Sequence, residues 1–290
     1  MGRHLPLPAV RRGADGGELR GPRGQRADGR RRRRDPRGDG AVRRARALAG
    51  QGVGPRGHVG RLRVVTAPPP YPRIAHVLAG RGSRDDLVLS AAEVASLWSR
   101  PLLVEEKLDG ATVVLWREGG RLECALRSGP GGQDRARQLG PLRAWLAPRS
   151  AALGPVLAEG ASAVYAEWLL LTHSVHYDRL SDYLVGLDVL GPSGAFLDVD
   201  GRDAVLAAAG LVPPPRLHRG MLGGVGDLEA LLGRSSGCDG PMEGLIVRTL
   251  DGTEPRIAKL VRPGFSPAPD EAWRGERPRN QLADRDASWH

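Results

Sequence analysis

The sequence predicts an α+β fold of antiparallel sheets flanked by short helices. Two observations carry this. Short apolar, β-branched-rich runs separated by turn signals stand at both ends of the ordered part of the chain, at 101–108, 111–118 and 121–128 and again at 243–250 and 256–261. Between them lie short Ala- and Leu-rich segments with helical spacing and further single strands. No internal repeat is present.

In chain order, the ordered region begins near 63–67, and Pro68-Pro69-Pro70-Tyr71-Pro72 forces an extended lead-in. Residues 89–98 read as a helix, with Ser90 as N-cap and Glu93 three positions on. Strands 101–108, 111–118 and 121–128 follow; a turn at Asp109-Gly110 joins the first two, and Glu118-Gly119-Gly120 joins the next pair. The stretch 135–157 is partly helical, with Pro141, Pro148 and Pro155 as breaks. Strands are expected at 163–171 and 182–190. Helices are expected at 203–209, ended by Gly210, and at 227–232, ended by Gly233. The last two strands, 243–250 and 256–261, meet at Asp251-Gly252.

Composition divides the chain. The net charge is +10, yet residues 1–65 hold 18 Arg against five acids, while the remaining 225 residues hold 25 basic against 28 acidic residues. The excess positive charge therefore lies in the arm. That arm is Arg, Gly, Pro and Ala with almost no apolar periodicity, and is expected to be disordered. One reading makes it a nucleic-acid-binding tail; the favoured reading is a start codon placed too far upstream. No apolar run approaches a membrane span and no secretory leader is seen, so no membrane partner is expected. Cys124 and Cys238 cannot make a disulfide framework, which predicts a reduced, cytoplasmic protein. Three regions are expected: the arm 1–65, a catalytic domain 66–265 and a short C-terminal tail 266–290.

The stretch Val104-Glu105-Glu106-Lys107-Leu108-Asp109-Gly110 organises the rest. Of 43 basic residues, 41 are Arg; the two lysines are Lys107 and Lys259. A chain that uses Arg almost everywhere is expected to keep Lys where Arg will not serve, because Lys can lose its proton and act as an amine nucleophile. The bland alternative is a structural ion pair of Lys107 with Glu105 or Glu106. Glu167 and Asp188 sit inside apolar strands, where a carboxylate needs a partner. His173 and His176 with Asp178 lack a third ligand at fixed spacing and read as structural or substrate-side residues.

Lys107-Leu108-Asp109-Gly110 resembles the K-x-D-G nucleophile motif of the covalent nucleotidyltransferases. Further stretches fall in that superfamily's order: Arg127-Ser128-Gly129 as motif Ia, Tyr165-Ala166-Glu167-Trp168 as motif III, Tyr183 to Val189 as motif IIIa, Glu243 to Arg248 as motif IV, and Ala258-Lys259-Leu260-Val261-Arg262-Pro263 as motif V. With Tyr71-Pro72-Arg73, His76 and the run from Glu167 through His173, Tyr177 and Asp182 to Asp188, the likeness is to the ATP-dependent RNA ligase branch and covers about residues 70–290. The resemblance implies a nucleotidyltransferase (adenylation) domain, ATP and Mg²⁺ or Mn²⁺ as cofactors, and a nucleic-acid partner, RNA in preference to DNA. It implies AMP transfer through Lys107, with Lys259 gripping the α-phosphate. Nucleotide contacts would come from Glu105, Glu106, Asp109, Gly110, Arg127, Glu167, Asp188, Glu243 and Arg262, and Glu243 would hold the metal. Such chemistry needs a neutral Lys107, so a lowered pKa is expected there.

Three positions depart from the family's pattern. Thr112 stands where Asn is usual, Ala166 where Gly precedes the motif III Glu, and Val261 where a second Lys is common. Only 28 residues follow Arg262, too few for a C-terminal OB-fold. The alternatives are a degenerate nucleotidyltransferase-fold protein that binds nucleotide or RNA without sealing strands, and a minimal DNA ligase.

Overall fold

The computed structural model describes residues 67–80, 86–127, 133–251, 256–268 and 277–289. The arm, Ser128-Gly129 and the Gly-rich run after it, and Gly252 of the expected last turn lie outside the described residues. Helix α1 spans Ala91–Trp98 and begins on a complete capping box, Ser90 to Glu93, as its sequence predicts.

Among the described residues, nine strands form two sheets. They are β1 (Ala75–His76), β2 (Leu102–Lys107), β3 (Ala111–Glu118), β4 (Arg121–Leu126), β5 (Ala163–Trp168), β6 (Leu184–Leu190), β7 (Arg216–Gly220), β8 (Gly244–Thr249) and β9 (Ile257–Val261). The remaining helices are α2 (Gln133–Leu146), α3 (Ser150–Glu159), α4 (Val199–Ala208) and α5 (Val225–Ala230). One sheet runs β1-β9-β8-β2-β7 and the other β4-β3-β5-β6. All neighbours are antiparallel except the two-residue β1, which runs parallel to β9. The α+β expectation holds.

Sequence adjacency misled at one place. Asp109-Gly110 is not a hairpin turn: β2 pairs with β7 and β8, whereas β3 pairs with β4 and β5. The chain passes from one sheet to the other there, because the polar groups that would close a hairpin are bound elsewhere. The Asp109 N–H donates to Tyr177 Oη (2.9 Å) and the Gly110 N–H to Glu167 Oε1 (3.1 Å). The β3–β4 hairpin does form, on Gly119 and Gly120, whose φ values of 56° and 84° are the positive pair that a type I′ turn requires.

Other differences have local causes. Helices α2 and α3 run through Pro141 and Pro155, and Pro148 alone falls at the break, in a 3₁₀ turn at Ala147–Arg149. Helix α4 starts earlier than 203 because the Asp198 side chain caps it, accepting from the Gly201 N–H. Strand β7 has no apolar pattern: it is an edge strand of the sequence Arg-Leu-His-Arg-Gly.

Each sheet turns one face to helices. Leu102 and Val104 of β2, Leu245 and Val247 of β8 and Leu260 of β9 bury against Leu97 of α1 and Leu228 of α5. Val113 and Leu115 of β3, Val164, Ala166 and Trp168 of β5 and Val189 of β6 bury against Leu142 and Trp145 of α2, Leu153 of α3 and Leu206 of α4. The alternate residues of β2, β8, β3 and β5 point the other way, into the space between the sheets.

That inner face carries an apolar cluster on the second sheet (Val114, Trp116, Ala163 and Tyr165 with Tyr71) and, beside it, a buried charged network. Arg248 of β8 donates to Glu105 of β2 (2.8 Å) and to Asp188 of β6 (2.7 Å), so it bridges the two sheets. Arg202 of α4 makes two more bonds to Glu105, at 2.6 and 3.0 Å. Both arginines also donate to the Leu187 carbonyl, and Tyr71 Oη donates to the second oxygen of Asp188. A buried pair of this kind is costly to break, because removing one member strands the other's charge. Arg248→Met should therefore cost about 3–5 kcal/mol, read as a lower urea midpoint at unchanged slope. An unchanged midpoint would show that Glu105 and Asp188 find other partners.

Candidate active site

Lys107 is the last residue of β2, opposite Gly244 in the β2–β8 register. This brings it beside Glu243, the residue before β8: Lys107 Nζ lies 2.5 Å from Glu243 Oε1. Lys259, in the middle of β9, aligns with Ile246 of β8 and with His76 of β1. Both lysines border the same two cavities. One, of about 130 Å³, is lined by Glu105, Glu106, Thr112, Arg127, Glu167 and Arg248, with Tyr71, Ile74, Leu187, Pro214 and Ile246 supplying apolar wall. The other, of about 440 Å³, is lined by His76, Asp86, Glu243, Val261, Arg262 and Phe265. The lysines thus stand where the smaller recess meets the wider groove.

The positions of Asp109 and Gly110 are set by what they touch. Asp109 Oδ2 accepts from the backbone N–H groups of Ser174 (2.5 Å) and Val175 (2.7 Å). A Cβ on Gly110 would come within 2.7 Å of both the Trp168 carbonyl and the Leu169 side chain, so glycine is required for the backbone to pass this close to β5. That approach delivers the Gly110 N–H to Glu167. Glu167 Oε2 accepts from Thr112 Oγ1 at 3.1 Å, its cross-strand partner on β3.

Burial dominates the electrostatics. It pushes the Glu167 carboxyl up to about 7, against the pull of Lys107 and the Thr112 hydrogen bond. Burial also raises Glu243, while Lys107 draws it back. For Lys107 itself burial works against the charge, but Glu243, Glu167 and Asp109 overcome it and hold the ammonium above its ordinary value. The expected lowering is therefore not a property of the free protein; the carboxylates outweigh desolvation. Lys259 is lowered, by burial first and despite Asp86, whose Oδ1 lies 3.3 Å from its Nζ. His76, buried, lies 3.4 Å from the other oxygen of Asp86 and is also lowered by burial and by Lys259.

Several expected site residues are placed differently. The side chains of Glu105 and Glu106 do not pair with Lys107. Glu105 belongs to the arginine network, and Glu106, on the opposite face of β2, accepts from Ser235 Oγ (2.5 Å) and from Ser236 N–H and Oγ (3.0 and 2.5 Å). Asp188 does not line the cavity; it holds Arg248 and Tyr71, which do. The Ala166 methyl points into the helix-covered core and cannot crowd a nucleotide. Arg127 is exposed at the cavity wall, with its backbone N–H fixed to the Thr112 carbonyl. Arg262 stacks over the Phe265 ring at 5.3 Å, and its N–H donates to the Glu243 carbonyl. His173 has a half-buried ring held neutral by desolvation and by Arg277, with its pKa at about 3.

Residues that the sequence reading did not single out are Asp86 and Arg202. Asp86 lies in a loop between β1 and α1, with no strand context to flag it. Arg202 is one arginine among many, and only its complete burial sets it apart.

The segment 100–261 matches the family model described as RNA ligase. The chain belongs to the RNA ligase family. Solved structures similar to it include a Naegleria gruberi RNA ligase lysine-to-alanine variant with ATP and Mn, at 14% identity, TM-score 0.45, over 66% of this chain and 61% of that one. The same ligase with PPi is similar at 14% identity and TM-score 0.42, over the same shares. The chain thus spans about three fifths of the length of these solved relatives. Comparison with curated proteins gives no match. Lys107, Glu167, Glu243 and Lys259 fall within the segment matched to the RNA ligase family; Tyr71, His76, Asp86 and everything after 261 fall outside it. Among the described residues, no helix is long and apolar enough to cross a membrane.

Glu167 gives this site a pH signature. Its carboxyl titrates near 4.5 in the unfolded chain and about 7 in the folded one. The folded state therefore holds the extra proton between these values, and its stability falls as pH rises through that window. Glu167→Gln, which has no proton to lose, should be more stable than the wild type at pH 8 by up to roughly 3 kcal/mol and nearly equal to it at pH 4. Urea unfolding at the two pH values checks this; a difference that does not change with pH would mean Glu167 is ionised throughout.

Proposed function

We propose that this chain is an ATP-dependent RNA ligase that works through a covalent lysyl-AMP on Lys107. The observation that carries the reading is the placement of both lysines of an otherwise all-arginine chain at the junction of two cavities, with buried carboxylates around Lys107. The family membership supports the sealing of RNA ends.

The adenosine of ATP would occupy the smaller cavity and the β- and γ-phosphates the wider groove, leaving the α-phosphorus between Lys107 and Lys259. Glu167 has lone pairs left on both oxygens after accepting from Gly110 and Thr112, and would take a ribose hydroxyl. Lys259 would sit against the α-phosphate oxygens and offset the charge that builds there. Lys107 must leave Glu243 and give up a proton before it attacks; burial favours the neutral amine once that ion pair is exchanged. Its Nζ–P bond forms as the bond from the α-phosphorus to the bridging oxygen of pyrophosphate breaks. AMP then passes to a 5′-phosphate, the lysine recovering its proton, and a 3′-hydroxyl attacks that phosphate to release AMP. Arg127, exposed at the cavity wall, would meet the incoming phosphate.

A divalent cation suits the donor set. Glu243 Oε2 is buried with no hydrogen-bond partner, a carboxylate oxygen free to ligate. Among the described residues there is no cluster of three or more protein ligands, which fits Mg²⁺, an ion that takes one or two carboxylates and completes its shell with phosphate and water. Held by Glu243, it would supply positive charge against the ATP phosphates.

Incubation with α-³²P-ATP and Mg²⁺ followed by denaturing electrophoresis should label the wild type and leave Lys107→Ala and Lys107→Arg unlabelled. Lys259→Ala should label at least about 100-fold more slowly. Absence of label from folded wild type that is not already adenylylated, with either Mg²⁺ or Mn²⁺, would sink the ligase reading in favour of a nucleotide- or RNA-binding protein. Preference for an RNA over a DNA 3′-hydroxyl strand would then separate RNA ligase from DNA ligase.

A further inference from the structure

The C-terminal segment 277–289 was expected to be a tail. Instead it is strapped to the loop 169–183 by an almost complete set of bonds. The Asn280 N–H donates to the Leu170 carbonyl (2.8 Å), the Thr172 N–H to the Pro278 carbonyl (2.9 Å), and the Gln281 N–H to the Tyr177 carbonyl (2.9 Å). Asn280 is fully buried and its side chain is used at both ends. Its Oδ1 accepts from the Tyr177 N–H and from Thr172 Oγ1, each at 2.9 Å, and its Nδ2 donates to the Leu169 carbonyl at 2.7 Å. Its own carbonyl accepts from Tyr183 Oη at 2.9 Å.

The loop so held is the one that holds the nucleophile's turn. Tyr177, gripped at its N–H by Asn280 and at its carbonyl by Gln281, accepts from the Asp109 N–H through its hydroxyl. The N–H groups of Ser174 and Val175, between Thr172 and Tyr177, both donate to the Asp109 carboxylate. Asp109 is two residues from Lys107, at the point where the chain changes sheets. An unbroken path of hydrogen bonds therefore runs from Asn280 to the backbone that aims Lys107.

We infer that Asn280 is a positioning residue for lysyl-AMP formation, acting through the 172–177 loop and Asp109 to fix the approach of Lys107 Nζ. The catalytic unit then extends beyond the family-matched segment, which ends at 261, to the C-terminal strap. This inference rests on the ligase reading. Asn280 touches no cavity residue directly, so its loss should lower the rate of the chemical step and leave nucleotide affinity nearly intact, since small displacements of a reacting group cost rate steeply.

The test is single-turnover adenylylation with α-³²P-ATP over a range of ATP concentrations, normalised to the fraction of protein that finally labels. The set is wild type, Asn280→Asp, Asn280→Ala, Tyr177→Phe, the double variant Asn280→Asp/Tyr177→Phe, and Leu153→Ala as a remote core control. Asn280→Asp keeps the size but sets an oxygen against the Leu169 carbonyl, which displaces Oδ1 from the Tyr177 N–H without emptying the site, so it serves where Asn280→Ala does not fold. The expected result is a fall of about tenfold or more in the maximal rate for Asn280→Asp and for Tyr177→Phe, less than about twofold change in half-saturating ATP, and a double variant no slower than the slower single. Leu153→Ala should lower the unfolding midpoint without changing the normalised rate. Effects that multiply in the double variant, or an Asn280→Asp that behaves like Leu153→Ala, would overturn the inference while leaving the ligase reading intact. A wild type that never labels would end both.

Discussion

The site depends on how the two sheets are kept together without closing on one another. Their inner faces do not meet as an apolar core. They meet through Arg248, which reaches from β8 to Glu105 on its own sheet and to Asp188 on the other, with Arg202 and Tyr71 completing the set. The two guanidinium groups face Glu105 and Asp188, and Arg202 also bonds Asp203, which Arg216 pairs in turn, so no buried charge is left uncompensated. Such a network has fixed distances and directions, whereas apolar side chains in its place could slide and repack. Arg248 and Glu105 also line the smaller cavity, so the interaction that joins the sheets is its floor. The chain crosses between the sheets at Lys107–Gly110 and again from β6 through α4 to β7, and the first crossing is the shorter. Nucleophile and cavity are thereby positioned by the same junction.

Lys107 is held charged in the free protein chiefly by Glu243, with Glu167 and Asp109 adding to it, although the proposed chemistry needs a neutral amine. These facts are compatible because the ion pair is exchangeable. Glu243 has one oxygen on Lys107 and one oxygen with no partner, so a cation at that free oxygen competes for the same carboxylate. The resting arrangement keeps the amine protonated and unreactive. Moving Glu243 from the amine to such a cation would remove its nearest negative charge and set a positive one beside it, which lowers an amine's pKa. Lys259 shows the opposite balance already: with Asp86 alone as its close anion, burial prevails and it lies below its ordinary value.

Seven of the described strands, the cap of α1 and the motif order were legible in the sequence because they are local: alternation, Ser90 with Glu93, and glycine turns are decided by neighbouring residues, whereas β1 and β7 carry no such pattern. The partner of β2 was not, since Asp109-Gly110 looks like a hairpin and only the bonds to Tyr177 and Glu167, 68 and 57 positions away, turn the chain into the second sheet. Glu167 and Asp188 looked alike, each a carboxylate within an apolar strand. Their roles diverge through partners on distant strands: Thr112 leaves Glu167 open to the cavity, while Arg248 and Tyr71 occupy both oxygens of Asp188. Asn280 carried no signal at all, because an asparagine near several prolines reads as a loop residue until its backbone partners are seen.

The preference for Arg elsewhere gives the two lysines their meaning. Arg202 and Arg248 do what guanidinium does well: they are buried, permanently charged and hold carboxylates with forked geometry. Neither could serve at 107, since a group that cannot shed its proton cannot form a bond to phosphorus. At 259 the argument is one of shape: a compact ammonium between Asp86 and the cavity mouth can shift from that carboxylate to a phosphate with little rearrangement, whereas a planar fork bonded to Asp86 would have to break directional bonds. The departures from the family's pattern fit this division of labour. Thr112 spends its hydroxyl on Glu167 rather than on a ligand, and Val261 adds no further cation beside Lys259. Charge at the mouth of the groove is left to Arg262, whose guanidinium is braced on Phe265. In the proposed reading, phosphate handling falls to Lys259 and Arg127 beside the Lys107 nucleophile, set against the buried ion pairs of Arg202 and Arg248.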